Sequence, residues 1–133
     1  MTITPLTTTT SVFVSDQSRA RDFYTGHLGY VVRQEIPLGE HSWLTVGLPD
    51  GAPQQDLSLE PNEHEQAKAL QEALVEEGIP FFSIGVADVT SAVDALRAAG
   101  VRIVQEPTNM GPVTTATIDD TVGNLVQLAS MNA

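Results

Sequence analysis

The chain opens on alternation. From Thr7 to Val14 the residues are mostly β-branched, with Val12 and Val14 on one side and Thr9, Ser11 and Phe13 on the other, which predicts a strand with one buried face. The period then changes. Ala20, Phe23, Tyr24 and His27 or Leu28 recur at helical spacing, Asp16 stands where an N-cap belongs, and Gly29 stops the run. Strands are predicted over Tyr30 to Ile36, His41 to Val46 and Gln55 to Glu60, separated by the turn sequences Pro37 to Glu40 and Pro49 to Pro53. Pro61-Asn62 opens a second helix from about Glu63 to Glu77, with Ala67, Leu70, Leu74 and Val75 as its apolar stripe and Gly78 as its stop. A strand over Phe81 to Val86, a helix over Val89 to Ala98 and a strand over Val101 to Gln105 follow. Pro107 to Pro112 then reads as a loop, Val113 to Ile118 as a strand, Asp119 to Asn124 as a turn, and Leu125 to Ala129 as the last strand.

This order repeats. Val14, Asp16, Ala20 and Asp22 return as Val86, Asp88, Ala92 and Asp94, each 72 positions on, and a one-residue gap aligns Gly29 with Gly100 and Gln34-Glu35 with Gln105-Glu106. The prediction is an α+β fold of two βαβββ modules, about 7–60 and 80–129, joined by a connector helix at about 63–77 within one domain spanning 1–133. Each helix covers one face of its sheet. Pairing the two uncovered faces, within the chain or across a dimer, predicts a half-barrel cleft. Parity assigns Val12, Val14, Leu57, Leu59, Phe82, Ile84, Val86, Val126 and Leu128 to the helix side. It assigns Thr9, Ser11, Phe13, Asp56, Ser58, Glu60, Phe81, Ser83 and Gln127 to the cleft, with Trp43 and Thr45 joining from the third strand.

Composition narrows the partners. Six basic residues against seventeen acidic ones, a net charge of −11, exclude a nucleic-acid backbone or an anionic membrane surface and leave a neutral or cationic ligand. The chain has no cysteine, so disulfides, thiolate metal sites and cysteine nucleophiles are excluded. Met1 to Thr10 has neither a basic start nor an apolar run, so no signal peptide is expected, and the location read from this is cytoplasmic.

Few residues suggest catalysis. Ser11, Ser58 and Ser83 have no evident His-acid partner. Asp119-Asp120 fits a tight turn better than acid-base work, and Asp56 and Glu60 are too far apart along one strand to share a proton. Of the three histidines, His27 and His64 sit at helix ends, while His41, beside Glu40, is the one able to reach the cleft mouth. Trp43 with Phe13 and Phe81 is the most suggestive group, either packing between the sheets or forming an aromatic cage for a planar or cationic ligand.

Four segments carry a resemblance: Val14-Ser15-Asp16 through Phe23-Tyr24 to Leu28-Gly29, its echo from Val86 to Gly100, Gln105-Glu106-Pro107, and Gly123-Asn124-Leu125-Val126-Gln127-Leu128. Together they resemble the vicinal oxygen chelate superfamily of glyoxalases, bleomycin-resistance proteins and extradiol dioxygenases. Metal-using members hold Ni, Zn, Fe or Mn on the first and last strands of each module. Carried onto this chain, those positions are Thr9, Phe81 and Gln127, with the remaining one at Ser58 or, in a slipped register, Asp56 or Glu60. A phenyl ring offers no lone pair and a neutral hydroxyl binds such metals weakly, so no metal cofactor is expected there. The resemblance then implies a metal-independent binder of a small molecule, in the manner of the drug-sequestering branch, taking an aromatic or cationic antibiotic or natural product. Its ligand-binding residues would be Thr9, Ser11, Phe13, Trp43, Thr45, Ser58, Glu60, Phe81, Ser83, Met110 and Gln127, in a homodimer. The alternative is a metal-dependent lyase, isomerase or dioxygenase, or a metal-free enzyme with Glu60 or Asp56 as base.

Overall fold

The computed structural model describes residues 2–49 and 55–133. Its elements run β1 Thr8–Val14, α1 Gln17–Gly26, β2 Val31–Leu38, β3 His41–Gly47, β4 Gln55–Pro61, α2 Glu65–Glu76, β5 Phe82–Gly85, α3 Val89–Ala98, β6 Ile103–Asn109, β7 Val113–Asp119 and β8 Leu125–Met131. They form two four-stranded sheets of equivalent order, β1-β4-β3-β2 and β5-β8-β7-β6. In each the first and fourth strands of the module run parallel and the other pairings are antiparallel. The protein is therefore an α+β fold of two βαβββ modules. The chain divides into two compact units, Met1–Glu63 and His64–Ala133.

The duplicated caps work as the repeat predicts. The Asp16 carboxylate accepts from the Arg19 amide at 3.0 Å and Asp88 accepts from that of Ser91 at 3.2 Å, each satisfying one otherwise orphaned amide of the first helical turn. Past the helix ends Gly29 and Gly100 take φ of +76° and +88°, a conformation costly for any residue with a Cβ. In module one Ala20, Phe23 and Tyr24 of α1 pack with Val12, Val14, Leu44, Val46, Leu57 and Leu59, all buried. In module two Val89, Val93 and Leu96 of α3 are buried along with Ala116, Ile118, Val126 and Leu128.

Several boundaries differ from the sequence-based expectation, by one or two residues at β5, the start of β6 and the end of β8, and three differences have a local physical reason. β2 continues through Pro37 to Leu38, so the turn before β3 shrinks to Gly39 and Glu40. β6 continues through Pro107 to Asn109, leaving Met110 to Pro112 as the turn, closed by the Met110 amide donating to the Val113 carbonyl at 2.8 Å. Both are outer strands, where a residue without an N–H costs no ladder bond on the open side. Both also carry register shifts, at Val32/Gln34 in β2 and at Ile103/Gln105 and Gln105/Thr108 in β6. The third difference is at α2. Pro61 completes β4, and the helix starts at Glu65 under a His64 cap whose Nδ1 accepts from the Gln66 amide. The turn expected at Pro49 to Pro53 lies almost wholly outside the described residues.

The apolar stripe of α2 is also corrected. Ala67 and Gln71 are its buried residues, whereas Leu70 and Val75 are exposed. The reason is a polar anchor. Gln71 Nε2 donates to Asn124 Oδ1 at 3.1 Å, Asn124 Nδ2 donates to Asp120 Oδ2 at 2.9 Å, and Asp120 Oδ1 accepts from the amides of Val122 and Asn124, each at 2.9 Å. Asp120, Asn124 and Gln71 are 0, 3 and 4% exposed. Gly123 permits the approach: a Cβ there would lie 2.7 Å from Gln71 Nε2, and its φ is +108°. No helix among the described residues is long and apolar enough to cross a membrane.

Candidate ligand-binding face

The face of each sheet opposite its helix carries one polar row in the same register in both modules. In module one Gln34 pairs with Thr45, Thr45 with Ser58, and Ser58 with Ser11. In module two Gln105 pairs with Thr117, Thr117 with Gln127, and Gln127 with Ser83. This decides the register that sequence left open among Asp56, Ser58 and Glu60: the counterpart of Gln127 is Ser58. It also adds Gln34 and Gln105, whose signal in the sequence was their alignment in the repeat.

Module two closes its row on itself. Ser83 Oγ donates to Gln127 Oε1 at 2.7 Å and Thr117 Oγ1 donates to Gln105 Oε1 at 3.1 Å. In the next row along, Thr115 faces Thr108 and Ala129, and Ala129 faces Gly85, so the side chains there are small. Phe81 lies just before β5, half-buried, its amide donating to the Leu125 carbonyl at 2.8 Å. Met110 is exposed in the β6–β7 turn.

Module one places different chemistry in the matching row. Trp43 pairs with Ile36, and Phe13 with Glu60, where module two has Thr115, Gly85 and Ala129. Trp43 is 45% exposed and Ile36 49%. The Trp43 Nε1–H donates to Gln34 Oε1 at 2.6 Å, which fixes the indole while leaving its π-system accessible. The Ser11 hydroxyl donates to the Glu60 carboxylate. Thr45 and Ser58, in the neighbouring row, are buried at 3% exposure each, and Thr9 is exposed near the start of β1.

At the far end of the same face Arg33 reaches over β3 toward Asp56, Nε to Oδ1 being 3.6 Å, and also donates to the Leu48 carbonyl. Gly47 makes the crossing possible, because a Cβ there would collide with Asp56 Oδ1 and lie 2.5 Å from Arg33 Nε. Sequence reading missed this pair. Gly47, closing the run Leu44 to Val46 at the end of β3, was the available signal.

Two depressions of about 290 Å³ lie elsewhere, one in each module beside the cap of its helix. The first is lined by Asp16, Gln17, Glu35, Glu40, His41 and Ser42, among others. Arg21 holds Glu35 at 2.7 Å, and that hydrogen bond raises the guanidinium pKa above its ordinary value. Gln17 fixes the floor by donating to the carbonyls of Ser42 and Leu59, both at 2.8 Å, and accepting from the Ser42 amide. The second is lined by Asp88, Thr90, Thr114, Ser130 and Asn132, with Ala87, Met131 and Ala133. None of the eleven residues expected to bind ligand lines either depression.

A model of the Glyoxalase/Bleomycin resistance protein/Dioxygenase superfamily matches residues 6–128. The chain belongs to this superfamily. Among relatives, the uncharacterized protein YurT of Bacillus subtilis (strain 168) is 44% identical over 119 residues, 90% of this chain and 94% of YurT. The structure of UcmS2 matches at 30% identity with a TM-score of 0.79, covering 96% of this chain and 98% of UcmS2. That of TnmS3, an antibiotic binding protein from Streptomyces sp. CB03234, matches at 25% identity with a TM-score of 0.74 and covers 99% of each chain.

The positions that the superfamily resemblance assigns to metal ligands are Thr9 and Ser58 in module one and Phe81 and Gln127 in module two. As a donor set they supply two neutral hydroxyls, one amide and a hydrocarbon ring. The Gln127 amide oxygen already accepts from Ser83. These side chains do not fit a first-row divalent cation, which takes imidazole, carboxylate or thiolate ligands.

Proposed function

We propose that this protein is a metal-independent small-molecule binder that sequesters an aromatic or cationic natural product of the antibiotic type. The observation that carries the reading is the layer of Phe13, Ile36 and Trp43 around Glu60 on the helix-free face of module one: two aromatic rings and an aliphatic side chain beside one carboxylate. A half-exposed indole already tethered through its N–H presents a flat surface at little further cost in side-chain entropy, and a carboxylate beside it favours a cationic ligand. The poor metal donor set at Thr9, Ser58, Phe81 and Gln127 supports binding without a metal. The likeness to TnmS3, itself described as antibiotic binding, supports the ligand class. The net charge of −11 favours cationic over anionic ligands in the encounter.

The test is a fluorescence titration of Trp43, the chain's single tryptophan, against a panel of aromatic antibiotics, with thermal shift as a parallel screen. Saturable quenching by at least one panel member without consumption of the ligand is expected. Trp43→Ala, followed by calorimetry, is expected to weaken binding by about 1–3 kcal/mol, the range for losing an aromatic anchor. Turnover of the ligand, or a panel that neither quenches Trp43 nor shifts melting, would refute the reading.

A further inference from the structure

Beyond that face, the molecule gathers a second set of polar groups. Glu40, His41 and Glu63 each present a ligand atom, and these atoms all lie within 4.8 Å of one another. We propose that the three form a site for a first-row divalent cation, with Zn2+ the best match. The site borders the ligand-binding face but uses other side chains: Val14 and Pro61, which line the adjoining depression, pair next to Phe13 and Glu60, and none of Phe13, Ile36, Trp43 and Glu60 lines it.

The backbone sets the convergence. Gly39, at φ +68°, makes the tight β2–β3 turn that puts Glu40 and His41 side by side, His41 being the first residue of β3. Glu63 follows β4, and the chain just before it is pinned to β1 by the Asn62 amide donating to the Val14 carbonyl at 3.0 Å. His41 Nε2 and Glu63 Oε1 are 2.8 Å apart, so the two side chains already share one small region.

The donor types select the ion. One imidazole nitrogen with two carboxylates is a set that zinc accepts readily, with water completing the coordination, whereas calcium or magnesium favours an all-oxygen shell. The adjoining depression of about 290 Å³, whose wall includes Glu40, His41 and Ser42, has room for that water. Charge points the same way. Arg21, Arg33, Arg97 and Arg102 are engaged with Glu35, Asp56, Glu106 and Asp119, four of the six basic residues committed to other carboxylates. A bound ion would neutralise Glu40 and Glu63 and clip the β2–β3 turn to the segment leaving β4.

The experiment is calorimetric titration of the EDTA-treated full chain with Zn2+, repeated on His41→Gln, Glu63→Gln and Glu40→Gln and on the control variants His27→Gln and His64→Gln. One Zn2+ per chain is expected. His41→Gln and Glu63→Gln should each weaken binding by about tenfold or more, and Glu40→Gln by a smaller factor, with both controls unchanged. Circular dichroism reports whether the exposed substitutions leave the fold intact, and the ring-proton NMR signals of His41 should shift at one equivalent of Zn2+ while those of His27 and His64 stay in place. Absence of stoichiometric binding by the wild-type chain, or binding by His41→Gln as tight as wild type, would overturn the proposal.

Discussion

Asn124→Ala tests whether α2 is held to module two by polar bonds rather than by apolar packing. Asn124 is buried, donates to Asp120 and accepts from Gln71, so the substitution removes two side-chain hydrogen bonds together. A bond to a carboxylate is worth about 1.5–3 kcal/mol and a neutral one about 1 kcal/mol, so the loss is about 3 kcal/mol. With a urea m-value of about 2 kcal/mol/M, the unfolding midpoint should fall by about 1.5 M. Asn124→Asp separates bonding from volume. It keeps the size of the side chain but replaces the amide donor with a second carboxylate beside Asp120, and it should destabilise at least as much as alanine. Gln71→Ala should cost about 1–2 kcal/mol alone and close to nothing in the Asn124→Ala background, the mark of a shared bond. If Asn124→Ala and Asn124→Asp each move the midpoint by less than about 0.3 M, well below the shift expected from the m-value, the anchor is not what holds the helix.

Gly47→Ala would push a methyl group into the space between Arg33 and Asp56. It should destabilise by about 1–3 kcal/mol in the same urea assay, and less in an Asp56→Ala background where the obstruction is gone; a neutral or stabilising result would contradict the crossing described above. Tyr30 is buried, and burial raises its phenol above the ordinary pKa of 10.0. The unfolded chain therefore ionises first. The stability due to the neutral buried phenol is fully present below about pH 10 and is lost as pH rises toward the folded value, so Tyr30→Phe should show a shallower fall in urea midpoint than wild type between pH 9 and pH 11, roughly the interval around an unperturbed tyrosine pKa.

Much of the fold was legible because its signals are local. Asp16 and Asp88 mark helix starts, Gly29 and Gly100 mark their ends, and the alternation of Val12 and Val14 or Val126 and Leu128 sets the faces of strands. These features repeat in one frame, so the two modules are readable from the residues alone. Pro37 and Pro107 misled because a proline reads as a turn, and only the position of β2 and β6 at the outside of their sheets makes it tolerable. Leu70 and Val75 misled because hydrophobic periodicity assumes that a helix docks by its apolar residues, and α2 docks through Gln71. At the candidate sites, side-chain parity put Ser11, Ser58 and Thr45 on one face, but their shared row, and which of Asp56, Ser58 and Glu60 matched Gln127, depended on strand register. The meeting of His41 with Glu63, 22 residues on, needed the path of β3 and β4.

Two of the four outer strands, β2 and β6, have a consequence for the chain's behaviour at high concentration. An unpaired β-edge is a template on which another molecule's backbone can crystallise, the first step toward fibrils. β2 and β6 each carry a proline and at least one slip of register along that edge. A newcomer could therefore zip only a few residues before meeting a missing donor or a misaligned carbonyl. The same irregularities that blurred the strand ends in the sequence act as gatekeepers against runaway self-assembly along these two edges, one in each module.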